Sequence, residues 1–151
     1  MADILARIQR VLEVVDDSSK SEHDSIEALI AALDELVASV HGVSFTFDGA
    51  DFDEPPGANH AETYKHVATR FPSFGYYSTP LEVLKMPSDA TLAVGDAVSD
   101  VAEIYDDMQE ILWRFNHTSE ADALFHFQLG FRSHWGRHLR ELQLYAHDLH
   151  W

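Results

Sequence analysis

Four carboxylates and two imidazoles carry the spacing that could do chemistry in this chain. Asp96, Asp100, Glu103 and Asp107 follow one another at intervals of four, three and four. At about 100° per residue they fall within an arc of roughly 60° on one helix flank. Downstream stands His134-Trp135-Gly136-Arg137-His138, whose two histidines are also four apart. Like charges at helical contact spacing repel one another. An acid ladder of this kind therefore calls for positive partners, and His134, His138 and the Arg137 guanidinium are the candidates.

Three chemistries fit that juxtaposition. In the first, His134 and His138 hydrogen-bond the ladder and Trp135 anchors the core, which makes a satisfied polar seam. An imidazole on a packed face needs such partners, because an unpaired buried polar group costs roughly 1–3 kcal/mol. In the second, Asp100, Glu103, Asp107, His134 and His138 hold a divalent metal such as zinc, manganese or magnesium. The paired Glu-x-x-His motifs of di-iron bundles are absent, which counts against iron. In the third, the acids line a pocket for a small cationic or polar ligand. The expected network is Asp96, Asp100, Glu103, Asp107, His134, Trp135, Arg137 and His138, with no metal or cofactor in the primary reading. A carboxylate beside His138 favours its charged form and desolvation opposes it; the ion pair is expected to win and raise the pKa.

The elements that must position these groups are helical. Ile4, Leu5, Ile8, Val11, Leu12 and Val15 recur with helical period over 3–15. Ser21 with Asp24 resembles a capping box and opens a second helix, whose apolar face is Ile26, Leu29, Ile30, Leu33, Val37 and Val40. Gly42 stands where a helix C-terminal glycine belongs. Residues 1–42 thus read as a helical hairpin. Val43, Phe45 and Phe47 alternate with polar residues, a short extended start to an acidic loop over 43–58. That loop holds Asp48, Asp51, Asp53 and Glu54 but lacks the spacing of a calcium-binding helix-loop-helix.

Residues 59–151 complete the bundle. Asn59 with Glu62 caps a third helix that Pro72 stops. Phe71-Pro72-Ser73-Phe74-Gly75-Tyr76-Tyr77 is an aromatic turn suited to plugging an open end. Thr79-Pro80 predicts a short helix over 80–85. A fifth helix is expected from beyond Pro87 to about Phe115, with Ala97, Val101, Ile104, Met108, Ile111, Leu112 and Phe115 facing the core and the ladder at their border. Ser119 with Asp122 caps a last helix reaching residue 150. Gly136 falls within that helix at a cost near 1 kcal/mol relative to alanine, so another backbone or a ring should pack closely against it. The fold class is all-α, one domain, a bundle of four to six helices.

Composition narrows the functions. The 151 residues suit one domain. Lys and Arg number 10 against 26 Asp and Glu, a formal charge of −16. One added charge on each of the 10 histidines would still leave −6. That sign argues against nucleic acid and anionic membranes, and it would steer basic partners or cations. The absence of cysteine removes disulfides, thiolate metal sites and a cysteine nucleophile. No secretory signal and no apolar run of roughly 18 residues is seen, so the cytoplasm is the default.

Enzyme patterns are sparse. There is no phosphate-binding glycine loop, Gly-x-Ser-x-Gly elbow or His-Glu-x-x-His. Helical nucleotide pyrophosphohydrolases hold magnesium with Glu-x-x-Glu and Glu-x-x-Asp. Glu103-Ile-Tyr-Asp106 matches the second half, whereas Asp24-Ser-Ile-Glu27 is a poor and distant first half.

A resemblance adds to this. Phe71-Pro72-x-Phe74-Gly75-x-Tyr77, Gly95-Asp96-Ala97 with Asp100 and Ile104-Tyr105, and above all His134-Trp135-Gly136-Arg137-His138-Leu139 resemble a bacterial family known as domain of unknown function number 5063. The motifs cover the chain from about residue 60 onward. The resemblance implies a small helical bacterial cytoplasmic protein and brings no activity with it. The primary expectation is an acidic, non-catalytic binding or interaction protein, for which a basic protein is the partner its charge would suit. The alternative is a metal-dependent hydrolase with Asp100, Glu103 and Asp107 as metal ligands.

Overall fold

The computed structural model describes residues 2–151. Six helices and one small hairpin form it: α1 (Ala2–Asp16), α2 (Glu22–Val40), α3 (His60–Arg70), β1 (Tyr76–Pro80), β2 (Leu92–Asp96), α4 (Ala97–His117), α5 (Glu120–Ser133) and α6 (Trp135–His150). The fold is mostly α and has one core. α4 is its hub and packs against α1, α3, α5 and α6. The capping residues act as their spacing predicts. The Ser21 side chain accepts from Asp24 N, Asn59 from Glu62 N and Ser119 from Asp122 N, each satisfying an orphan helix donor.

The apolar stripes meet in one continuous core. Ile8 and Val11 of α1, Leu29, Leu33 and Leu36 of α2, Ile104 and Met108 of α4, and Leu139 and Leu142 of α6 are fully buried. Phe71 and Phe74 stack at 5.0 Å and are buried with them, as an aromatic plug would be. Residues 43–58 form neither helix nor strand. Val43 and Phe45 are half-buried against the core, which accounts for the alternation without a partner strand. The loop is also anchored: Ser119 Oγ donates to Asp48 at 2.5 Å and Arg114 reaches Glu54 at 3.6 Å.

Four local expectations are corrected. Thr79-Pro80 does not open a helix. Thr79 Oγ1 donates to Glu141 instead of capping, and Pro80 ends β1 opposite Leu92. The fifth helix does not begin near Pro87, because Leu92–Asp96 is a strand paired antiparallel with β1. The last helix is broken at His134, whose φ of −145° and ψ of −88° are not helical. Gly42 closes α2 without a left-handed turn, since no described glycine has positive φ.

The hairpin presents two unlike faces. Inward, Tyr77 lies over Gly95, and a Cβ at Gly95 would collide with its ring. Outward, Tyr76, Leu92 and Val94 are exposed, and so are Leu81, Val83, Leu84 and Met86 in the connecting turn.

Candidate functional site

The ladder begins one residue outside its helix. Asp96 is the N-cap of α4: its Oδ1 accepts from Val98 N at 3.0 Å and Ser99 N at 3.3 Å. Its other oxygen accepts from the Tyr64 hydroxyl at 2.8 Å, which holds the Tyr64 pKa above the ordinary tyrosine value. A carboxylate at this end also suits the helix dipole.

Asp100 lies one turn deeper and is buried at 4% exposure. His138 Nδ1 stands 2.7 Å from its Oδ1, and the Tyr77 hydroxyl donates to its Oδ2. Both oxygens of a buried carboxylate are therefore partnered. The bond to Asp100 raises the His138 pKa, opposed by burial and helped by the charges of Asp100 and Glu103. Burial first, then the Asp100 contact, pushes the Tyr77 hydroxyl up as well, so it stays a neutral donor.

The ladder opens toward solvent in its second half. His134 Nδ1 lies 2.6 Å from Asp107 Oδ2, and its Nε2 lies 3.5 Å from Glu103. Burial pushes the Asp107 carboxyl upward, and the His134 hydrogen bond only partly offsets this. Here the structure adds His60 and Thr63 and sets Asp106 beside the ladder. His60 Nδ1 meets Asp106 at 3.1 Å, its Nε2 lies 3.7 Å from Glu103, and Thr63 Oγ1 donates to Asp106 at 2.7 Å. Asp106 continues the acidic flank at the next helical position, and His60 follows the capping Asn59. The spacing of Asp106 was therefore readable, but the partnership with His60 depends on how α3 packs.

Those acids line a cleft. Glu103, Asp106, Asp107 and Glu110 of α4 form one wall, Tyr105 and Trp113 border it, and residues 55–58 with His60 close the far side. Its volume is about 630 Å³. The cation nearest this wall is already committed. Arg114 is 5% exposed and bonds Glu110 at 2.9 Å and Asp122 at 3.1 Å.

Each residue of the His-Trp-Gly-Arg-His motif holds a different piece of the molecule. His134 joins α4 as described. Trp135 is fully buried, and its indole N–H donates to the Phe127 carbonyl at 3.2 Å. Gly136 lies in the first turn of α6, not in mid-helix, and a Cβ there would collide with the Phe131 carbonyl and ring. Arg137 donates to Glu141 at 2.9 Å and to the carbonyls of Pro80 and Leu81 at 2.7 and 3.2 Å, which ties the hairpin to α6. His138 joins Asp100. All eight network residues read from the sequence thus lie on or beside the contact between α4, α6 and the hairpin. The five named for a metal divide into a pair, Asp100 with His138, and a group of three in which His134 stands between Glu103 and Asp107. Among the described residues, the set of three metal-type side chains with converging ligand atoms is His23, Glu27 and His150, away from the ladder.

Comparison with known proteins places the chain. The family described as "Domain of unknown function (DUF5063)" matches residues 1–149, and the chain belongs to it. The match takes in α1, α2 and the acidic loop as well as the motifs beyond residue 60. No curated protein matches. The fold is similar to the crystal structure of protein BF1032 from Bacteroides fragilis, at 16% identity and a TM-score of 0.79, covering 99% of this chain and 91% of that one. Among the described residues no helix is long and apolar enough to cross a membrane.

Proposed function

We propose that this chain is a non-catalytic binding protein for a basic protein partner, and that the acidic cleft along α4 receives Lys or Arg side chains. The observation that carries this reading is a cleft lined by Glu103, Asp106, Asp107 and Glu110, in which His60, His134 and the committed Arg114 are the neighbouring bases. Tyr105 and Trp113 supply aromatic surface of the kind that cations favour. A cation in the cleft would also lower the cost of ionising Asp107, whose carboxyl burial pushes upward. A net charge of −16 steers such a partner inward.

A protein suits the molecule better than a small cation. The hairpin and its connecting turn leave Leu81, Val83, Leu84, Met86, Leu92 and Val94 exposed, and apolar side chains gathered on one exposed element suit a protein contact. The metal-dependent hydrolase has less support. Both oxygens of Asp100 are engaged by Tyr77 and His138, and the residue is buried away from the cleft that Glu103 and Asp107 line. A soluble role in the cytoplasm fits the composition.

The test is fluorescence anisotropy with a labelled lysine-rich peptide and a glutamate-rich control. The lysine peptide should bind and weaken as salt rises, since exposed charge is screened over about 10 Å at 0.1 M. Glu103→Gln with Asp106→Asn should weaken it by about tenfold, the equivalent of 1.4 kcal/mol. Equal affinity for both peptides, or no effect of the double variant, would contradict the reading.

A further inference from the structure

The histidines of this chain differ in their partners. His60, His66, His134 and His138 each meet a carboxylate at 3.1 Å or less. His23 and His150 do not. Their rings lie 4.8 Å apart, tilted by 32°, and no other side chain hydrogen-bonds either of them among the described residues. Glu27 lies one turn along α2 from His23, and its carboxylate is likewise exposed. One ligand atom from each of His23, Glu27 and His150 lies within 4.8 Å of the other two.

The helix register brings these residues together independently of their side-chain placement. Gln143 Nε2 donates to Asp34 at 2.8 Å, which fixes how α6 runs antiparallel to α2. Glu27 precedes Asp34 by seven residues and His150 follows Gln143 by seven, about two turns on each helix. The Glu27–His150 contact is therefore the next rung of the same crossing. His23 joins it from the first turn of α2 on the same helix face.

We propose that His23, Glu27 and His150 form a zinc-binding site that staples the start of α2 to the end of α6. Two imidazoles and one carboxylate are a zinc ligand set, with the fourth tetrahedral position left to water. Bonds of 2.0–2.2 Å in a tetrahedron put ligand atoms about 3.4 Å apart. Closing from 4.8 Å needs rotamer adjustment of the exposed His23 and Glu27 and the half-buried His150. The negative end of the α6 dipole and the positive end of the α2 dipole both lie at the site and offset one another, and the net charge of the chain attracts the ion. Magnesium, which wants an octahedron of oxygens, is a poor match.

Zinc chloride and magnesium chloride titrations of the full chain, followed by calorimetry and by thermal melting, test this. Zinc should bind one to one in the micromolar range and raise the melting temperature, because it binds the native state; magnesium should do neither. His23→Ala and His150→Ala should each weaken zinc by more than the roughly 10–100-fold typical of removing an outer-shell partner. Glu27→Gln should weaken it too. His138→Gln should leave zinc affinity unchanged. Absent zinc binding, affinity unaltered in His23→Ala and His150→Ala, or zinc binding lost in His138→Gln would each overturn the site.

Discussion

The two halves of the α4 acid flank are built from the same residue types and stand in different circumstances. At the N-terminal end, Asp96 and Asp100 meet tyrosine hydroxyls, helix N–H groups and His138, and Asp100 is almost fully buried. About one to three turns on, Glu103, Asp106, Asp107 and Glu110 border a cleft, and Glu103, Asp106 and Asp107 meet imidazoles that are themselves partly exposed. Depth separates them. A buried carboxylate must have its partners supplied by the fold, whereas one at a cleft wall can wait for a partner from outside. The first half therefore reads as a structural seam and the second as a surface that can still bind.

Removing Asp100 should give the largest effect. Asp100→Ala leaves the Tyr77 hydroxyl and the His138 ring without their acceptor, and a loss of about 2–3 kcal/mol is expected in urea unfolding. A change below about 0.5 kcal/mol would place Asp100 with the surface acids. Gly136→Ala comes next, at about 1–3 kcal/mol, because the new methyl meets the Phe131 carbonyl and ring. An unaltered midpoint would mean that the junction between α5 and α6 relaxes freely.

The cleft should respond in the opposite way. Glu103→Gln with Asp106→Asn should leave stability within about 1 kcal/mol while weakening a lysine-rich peptide. A loss as large as that of Asp100→Ala would erase the distinction between the halves. The smallest effect concerns pH. The Asp100 hydrogen bond raises the folded pKa of His138, so its stabilisation is complete below the unfolded value of about 6.5 and fades as pH rises through the folded value. His138→Gln should flatten the fall in stability between about pH 6 and 8. A pH profile identical to that of the parent would contradict the pairing.

Much of this arrangement was legible in the residue order. Helical period and the capping residues Ser21, Asn59 and Ser119 located most of the helix starts, and the ladder and the His-Trp-Gly-Arg-His motif marked the surfaces that meet. The hairpin was not legible. Thr79-Pro80 has the composition of a helix start, and only the tertiary position of Glu141 turns Thr79 to another partner. The break at His134 was also hidden. Its apolar stripe continues unbroken in period, and the turn accompanies a tertiary contact in which the Trp135 indole reaches back to the Phe127 carbonyl. Asp106 shared the spacing of its neighbours, but His60 comes from a separate helix. The Glu27–His150 rung needed the crossing of α2 and α6, which no local pattern encodes.

The division of α4 into a seam and a binding wall is tested most directly by amide chemical shifts of the labelled protein during titration with a lysine-rich peptide. Shifts should concentrate at residues 57–63 and 103–113, with Asp100 and His138 little changed. The same titration in Glu103→Gln with Asp106→Asn should lose them. Shifts centred on 96–100 and 134–138, or a spectrum indifferent to the peptide, would contradict the account.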